Sequence, residues 1–570
     1  MSKAGFHEPI DKWSWADYVL LVLLVAAASL LFCSGLSIRS LWGSEGRWAV
    51  VAREMMQSGN YFLPTINGQV YFDKPLLSYW AIIPFSWFTG VTETSARLPG
   101  ALAGVGTVGL TFALGRRFYG RTAGFLSGAI LLTTAMFGFW ARTASAELLN
   151  VLAIWLMLWV LARGDRTPSF RRYLVFYLVA ALSAFCKGPV APAVAVMTTV
   201  ALSITEMVYD LRKAGFGEKG RGFTFYFDWI FSVKGFLAAL CGLAVFTLLL
   251  FLPVIVTGTW DAVELMWREN VTRFFKPFDH VEPFYIYFKH IPVLLLPWTL
   301  VGIASLIGVK EWDAGWTRRW MICVTVAIFM FFTVSGSRRS YYILPIVPAF
   351  ALIMGISLAG FLERLPADSR AMRAALIITG SFPFLAGAAM TVAYFAFGQY
   401  RHVSELILGP LAAAAGILAV MFAYRRRYIE GTAITAIALF CLLMWGYTAG
   451  GAIGERQRTL RSFAGSLQTY LKSVDGDKTA IYGMGNSSLI FYLDMARPIT
   501  TLSDISAACT YVKGPGNYLL TEEGLAEQIA GECGPHELLR VLAQPKEGKK
   551  RNREVVVLFR TGKHAQNPFK

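Results

Sequence analysis

Charge is scarce in this sequence. Only 16% of its 570 residues are Asp, Glu, Lys or Arg, where a soluble protein of this size carries roughly a quarter. That shortage excludes an ordinary soluble globular chain. Histidine and cysteine are sparse as well, at six and seven residues. The cysteines show no metal-ligand spacing, and five of them sit in apolar runs as small core residues. A dinucleotide fingerprint is missing: Gly483-Met484-Gly485 lacks the rest of the motif and reads as turn glycine. Acidic residues are outnumbered 36 to 53, for a net charge of +17. In a soluble chain that excess would suggest nucleic acid.

What the sequence has instead is apolar runs. It is 55% hydrophobic, and many runs reach the ~20 residues needed to cross a ~30 Å hydrocarbon core. The expectation is a polytopic α-helical membrane protein with about thirteen spans. They fall near 17–37, 98–115, 121–139, 146–162, 172–187, 189–208, 235–257, 290–309, 320–335, 341–361, 373–397, 405–424 and 430–450. The first run holds Ala26, Ala27, Ala28 and Ser29, which resemble a signal cleavage site. The run continues past them, so it reads as an uncleaved span. With Lys3 and Lys12 in the cytoplasm, the even-numbered spans end inside. Their ends carry Arg116 and Arg117, Arg163 and Arg166, Arg212 and Lys213, Arg318 and Arg319, Arg364 and Arg370, and Arg425 to Arg427. Basic inside loops explain most of the positive charge without nucleic acid.

An odd number of spans places the C-terminal portion on the far side. The expected organisation is a transmembrane domain over 1–453, with far-side loops near 38–97 and 258–289, then a small soluble α/β domain over 454–570. Within it, Thr479–Tyr482, 517–521 and 555–559 read as strands, and 461–470 and 522–529 as helices. On this topology Cys509 and Cys533 face an oxidising compartment, where a disulfide can form.

Some basic residues escape the inside rule. Arg47, Arg53, Lys74, Arg97, Arg142, Lys187, Arg268, Arg273, Lys276, Arg338, Arg339 and Arg401 fall on the far side. Gathered at one face they suit an anionic partner such as phosphate. Singly, each is equally served by a neighbouring carboxylate or by snorkelling. The first far-side stretch, 41–80, organises the rest. Ser44 stands at an N-cap position, with Glu45 in the first turn where a carboxylate is favoured. Trp48, Val51, Ala52 and Met55 share one helical face, and Gly59 suits the position past the end. This predicts a short amphipathic helix lying on the bilayer, with Arg47 and Arg53 off its apolar face. Tyr71-Phe72-Asp73-Lys74-Pro75 follows, a lysine among aromatics suited to a lipid phosphate or to a surface pair with Asp73. Glu147 opens an apolar run, where a carboxylate is costly and usually functional; a salt bridge to Arg142 is the structural alternative. His280 lies between Arg273 and an aromatic cluster. Ser335-Gly336-Ser337-Arg338-Arg339-Ser340-Tyr341-Tyr342 is a small-residue loop able to close over a phosphate or simply to anchor a turn.

These segments together resemble the lipid A aminoarabinose transferase and protein O-mannosyltransferase-like family, membrane glycosyltransferases of the GT-C class. The resemblance covers about 15–350. It rests on Glu45-Gly46-Arg47-Trp48-Ala49 with Ala52-Arg53-Glu54-Met55, on Tyr71-Phe72-Asp73-Lys74-Pro75 and Arg97-Leu98-Pro99, and on Ala141-Arg142-Thr143. It continues through Lys187-Gly188-Pro189, Pro297-Trp298 and Tyr342-Ile343-Leu344-Pro345. The resemblance implies transfer of a sugar from a polyprenyl (undecaprenyl) phosphate carrier to lipid A or another envelope glycolipid. It implies inversion at the anomeric carbon and a site at the periplasmic face of a bacterial inner membrane. The family's first loop usually holds Asp-Glu, and here Ser44-Glu45 stands there; a second acidic position, usually Asp, is Glu147. Glu45 and Glu147 are therefore the expected catalytic carboxylates. Lys74, Arg47, Arg273, His280, Arg338 and Tyr342 are expected at the carrier phosphate, with Ser44, Trp48, Tyr71, Asp73 and Arg142 nearby. A divalent cation held by acidic groups is compatible with the resemblance, although no ligand set is legible. A lipid or sugar transporter is one alternative; it predicts polar, Gly/Pro-broken midplane spans and often repeated halves, whereas here acidic and basic groups gather at one face and no clear internal repeat is visible. A catalytically silent carrier-binding scaffold is the other alternative, because Ser44 replaces an acid.

Overall fold

The computed structural model describes residues 12–162, 167–214, 222–272, 282–308, 315–363, 369–396, 402–456, 460–473, 478–483, 487–495, 498–514, 517–532 and 556–560. The chain forms two compact units. The first comprises Met1–Leu36, Phe72–Phe85 and Arg97–Gly450, and the second Ser37–Tyr71, Ser86–Ala96 and Gly451–Lys570.

The first unit is helical. Among the described residues nine helices are long and apolar enough to cross a bilayer. Two more pairs, Arg121–Leu132 with Ala135–Ala141 and Ile286–Leu294 with Thr299–Gly308, bend by 67° and 109° at short breaks. Each apolar stretch expected from the sequence coincides with one helix or one bent pair. The 172–208 stretch divides at Gly188, whose φ of +77° ends Phe170–Lys187 before Val190–Ala214 begins. Few L side chains adopt that backbone. Glu93–Tyr119 and Ile346–Glu363 are the most enclosed of the spanning helices. Glycine allows the close approach: a Cβ on Gly355 would stand 2.6 Å from the Ser127 backbone nitrogen. At one end Asp17 receives Arg116 and Arg121, each at 2.9 Å, and Glu206 receives Arg319. Arg116 and Arg319, two of the basic residues expected at helix ends, are thus held in ion pairs.

The second unit is built around a sheet. Strands β1 (Thr65–Ile66) and β2 (Gln69–Val70) form a hairpin. Its Asn67-Gly68 turn has positive φ at both residues, as a type I′ turn requires. The main sheet contains β3 (Thr479–Tyr482), β4 (Thr500–Leu502), β5 (Tyr518–Glu522) and β6 (Val556–Arg560), in the order β4-β3-β5-β6. β3 runs parallel to β4 and β5, and β6 is antiparallel to β5. Helices Leu460–Ser473, Ser487–Leu493, Ile505–Lys513 and Glu523–Glu532 accompany it. β4 escaped the sequence reading because three residues carry no period. The helix Ile505–Lys513 had a legible start, since Asp504 accepts the Ala507 N–H as an N-cap. Cys509 is disulfide-bonded, and Cys533 lies outside the described residues.

The first-loop helix, Glu45–Ser58, differs from expectation. Trp48, Val51, Ala52 and Met55 are at most 4% exposed, and Ala49 and Val50 are buried too. The apolar face is covered by protein rather than lipid, packing against Ser487–Leu493. A lipid-facing stripe and a core-facing stripe have the same sequence pattern; only the presence of a partner element separates them. Gly46 marks the contact, because a Cβ there would stand 2.4 Å from the Ser488 backbone nitrogen. Gly46→Val is expected to cost about 1–3 kcal/mol of stability, read as earlier thermal unfolding of the purified protein. An unchanged unfolding curve would count against this packing.

Candidate active site

The first unit encloses a cavity of about 140 Å³ where several of the expected site residues meet. Phe72-Asp73-Lys74-Pro75-Leu76 forms one wall. Pro75 favours an extended Lys74, and Ser78 Oγ donates to the Pro75 carbonyl at 2.7 Å to fix the turn. Lys74 Nζ lies 2.9 Å from the Asp73 carbonyl oxygen and 3.2 Å from its Oδ1. The surface pair and the phosphate contact considered from sequence are therefore compatible, because the paired lysine lines the cavity.

The second cation is Lys187, the last residue of Phe170–Lys187. Its ammonium donates to Glu147 Oε2 at 2.5 Å and lies 4.6 Å from the centroid of the Tyr342 ring. Glu147 begins the helix Glu147–Leu161, where the helix dipole favours its charge. An ammonium has three donors, so a ligand oxygen can join Lys187 without displacing Glu147. Glu269 enters from a single π-turn at Arg268–Thr272, a local geometry often found at functional sites. Ser335 and Ser337 complete the polar lining. Ser335 Oγ donates to the Ser337 carbonyl at 3.1 Å, while the buried Ser337 hydroxyl has no partner among the described residues. The remaining wall is apolar, including Phe185, Leu249, Leu250, Pro253, Phe331 and Phe332. A pair of ammonium groups beside an apolar enclosure fits a ligand with a phosphate head and a hydrocarbon tail.

The other expected residues fall in three places. Arg142 is buried and donates to the carbonyls of Leu31, Phe32 and Gly35 at 2.9, 3.1 and 3.2 Å. It secures the end of the first span, and Glu147 pairs with Lys187 rather than with Arg142. Arg338 donates to the carbonyls of Thr333 and Glu282 at 3.1 and 2.8 Å. Arg273 and His280 lie outside the described residues. Ser44, Glu45, Arg47, Trp48 and Tyr71 belong to the second unit. There Ser44 occupies the N-cap position without a side-chain capping bond. Glu45 is 1% exposed; it accepts the Trp42 N–H at 3.2 Å and lies 3.5 Å from Arg39. Arg47 donates to the Tyr71 hydroxyl at 3.2 Å. Among the described residues no group of three or more His, Cys, Asp or Glu converges to hold a metal ion.

The second unit also explains Arg53 and Glu54. Arg53 reaches Asp494 at 2.8 Å and the Phe491 and Ile490 carbonyls at 2.8 and 3.1 Å. Burial lowers its pKa, against the opposing pull of Asp494 and Glu54. Glu54 accepts from Thr65 Oγ1, Asn67 N and Gly68 N at 2.6, 2.6 and 3.1 Å, which fixes the hairpin. Tyr492 accepts the Leu41 N–H at 2.7 Å and donates to Glu93 at 3.0 Å, and burial pushes its phenol up to about 12. These side chains tie the loop carrying Glu45 to the sheet domain. Lys187 is the residue that site assignment from sequence passed over. Its signal was a lysine between two apolar runs, in Lys187-Gly188-Pro189.

Several known proteins are similar to this chain. The family model described as dolichyl-phosphate-mannose-protein mannosyltransferase matches residues 73–213, which include Lys74, Glu147 and Lys187. An undecaprenyl phosphate-alpha-4-amino-4-deoxy-L-arabinose arabinosyl transferase of Erwinia tasmaniensis is 24% identical over 502 residues, covering 80% of this chain and 81% of the relative. One of the same description from Shewanella sediminis is 23% identical, covering 73% of this chain and 74% of the relative. The crystal structure of ArnT from Cupriavidus metallidurans bound to undecaprenyl phosphate superposes with a TM-score of 0.70 at 18% identity, over 96% of this chain and 98% of the other. Its apo form gives 0.71 at 19% identity, over 95% and 98%. The helical fold is that of the ArnT crystal structures, to which the chain superposes along almost its whole length. In sequence it is similar to the arabinosyl transferases along most of its length and to the mannosyltransferase family model over 73–213.

Proposed function

We propose that this protein transfers a sugar from a polyprenyl phosphate carrier to a lipid A-type or other envelope glycolipid acceptor at the periplasmic face of the inner membrane. The observation that carries this reading is the placement of Lys74 and Lys187 in one otherwise mostly apolar cavity. Lys74 and Lys187 hold the carrier phosphate, and Tyr342 packs against the Lys187 ammonium. The acceptor's oxygen nucleophile attacks the anomeric carbon and forms the new C–O bond. The bond from that carbon to the phosphate oxygen breaks, and its electron pair leaves with the carrier phosphate. The lysines stabilise the charge that grows there. Attack opposite the leaving group inverts the anomeric centre. The acceptor proton passes to a carboxylate.

Glu45 is the first candidate for that base and Glu147 the second. Glu147 already binds Lys187, which favours it as the group orienting that lysine. Arg47, Arg273, His280 and Arg338 are assigned as further contacts to the carrier or its surroundings, with Ser44, Trp48, Tyr71, Asp73 and Arg142 as neighbours. The basic inside loops support a cytoplasmic N-terminus and a periplasmic domain over 454–570. Incubating the purified protein with an undecaprenyl-phosphate sugar and lipid A should yield glycosylated acceptor and free carrier phosphate in equal amounts. Carrier binding without transfer to any envelope glycolipid would favour the silent scaffold.

A further inference from the structure

The first unit contains a second cavity, of about 90 Å³, that the transfer reaction does not use. Arg172 and Tyr173 line it from the first turn of Phe170–Lys187, the helix whose last residue lines the first cavity. Trp316 and Trp320 line it from the start of Trp316–Val334, whose other end sends Phe331 and Phe332 into the first cavity. At 1.5 Å per residue, Arg172 and Lys187 are separated by about 22 Å along the helix axis. The two cavities therefore lie at opposite ends of the same helices, at opposite membrane faces.

The lining of the second cavity is chemically specific. Asp228 is half-buried and accepts the Tyr173 hydroxyl, and it forms no ion pair among the described residues. The other carboxylate, Glu206, is already neutralised by Arg319, with contacts of 2.5 and 2.9 Å. Trp229 is 4% exposed, and its indole N–H has no hydrogen-bond partner among the described residues. Tyr173, Phe225, Tyr226, Trp316 and Trp320 supply aromatic walls. A carboxylate among aromatic faces selects an organic ammonium. Trp229, with its buried indole N–H, and Arg172, which already donates to the Thr167 carbonyl, line the same cavity, and phosphate oxygens can accept from both. The phosphoethanolamine headgroup of a phospholipid carries both charges at short separation and, unlike phosphocholine, has N–H donors for the carboxylate. Pockets between spanning helices are known places for headgroup recognition.

We infer that this cavity binds the headgroup of a zwitterionic aminophospholipid, with the ammonium on Asp228 and the phosphate against Trp229 Nε1 and Arg172. The site is independent of the sugar-transfer reading. The full-length protein, delipidated in detergent, is to be incubated with equal amounts of phosphatidylethanolamine, phosphatidylcholine and phosphatidylglycerol of matched chains. Retained lipid is then read by native mass spectrometry. Phosphatidylethanolamine is expected to be retained at least about tenfold over the other two, because only its ammonium donates hydrogen bonds to the carboxylate. Asp228→Asn should abolish that preference. Trp229→Phe, which removes the indole donor to the phosphate together with part of the ring, should lower phosphatidylethanolamine retention about fivefold. Equal retention of the three lipids assigns the cavity no headgroup selectivity and overturns the proposal. An unchanged preference in Asp228→Asn, or unchanged retention in Trp229→Phe, does the same.

Discussion

Replacing Lys74 by alanine is expected to reduce transfer by about 100- to 1,000-fold, the usual loss when one preorganised group that stabilises developing charge is removed. The reason is positional. Lys74 lines the cavity beside Pro75 and Leu76, and its ammonium is held by the Asp73 carbonyl and carboxylate rather than left to search. In a partly water-excluded cavity a fixed ammonium stabilises a departing phosphate more than the same group in water does. Lys74→Arg should restore only part of the activity, because the guanidinium is larger and presents its donors in a plane. The measurement is initial rate with carrier-linked sugar in detergent or vesicles, alongside binding of the carrier phosphate. Undiminished turnover in Lys74→Ala would remove Lys74 from the mechanism.

Glu147→Gln is expected to separate two roles for that carboxylate. The Glu147 and Lys187 side chains are 10% and 16% exposed. Neutralising Glu147 leaves Lys187 as a nearly buried cation without its carboxylate, which costs about 3 kcal/mol. A bound polyprenyl phosphate supplies the missing anion. Carrier should therefore raise the unfolding temperature of Glu147→Gln more than that of the unaltered protein. If Glu147 is the acceptor's base as well, that extra stabilisation persists, because the ion pair with Lys187 is lost either way. Turnover in the variant would then fall by about 100- to 10,000-fold. Thermal unfolding with and without carrier reads the first role, and kcat reads the second.

The site was legible where chemistry and chain order coincide. Lys74 stood out as a lysine among aromatics before a proline, and Tyr342 as the end of a loop of small and basic residues. Both line the cavity. Arg142 shows the limit: a far-side arginine has the same appearance whether it meets phosphate or main-chain carbonyls, and here it meets the carbonyls of the first span's end. Lys187 shows the converse. It is distant in sequence from Glu147 and Tyr342, and its ammonium meets both only because three separate chain segments end together. The helix Glu45–Ser58 shows a third limit, since its apolar stripe was legible but what covers it was not.

Taken alone, the sequence determined the polytopic helical character, the position of nearly every spanning segment and the family resemblance. Those follow from local quantities: the length and polarity of each run, the placement of Lys and Arg, and short motifs in order. Tertiary structure decided which polar side chains meet, which apolar faces touch protein, and where enclosed space remains. These depend on partners hundreds of residues apart, as with Arg53 and Asp494 or Asn67 and Ile499. No local period encodes such pairings; they exist only when the packing of the whole unit brings complementary groups within hydrogen-bond reach.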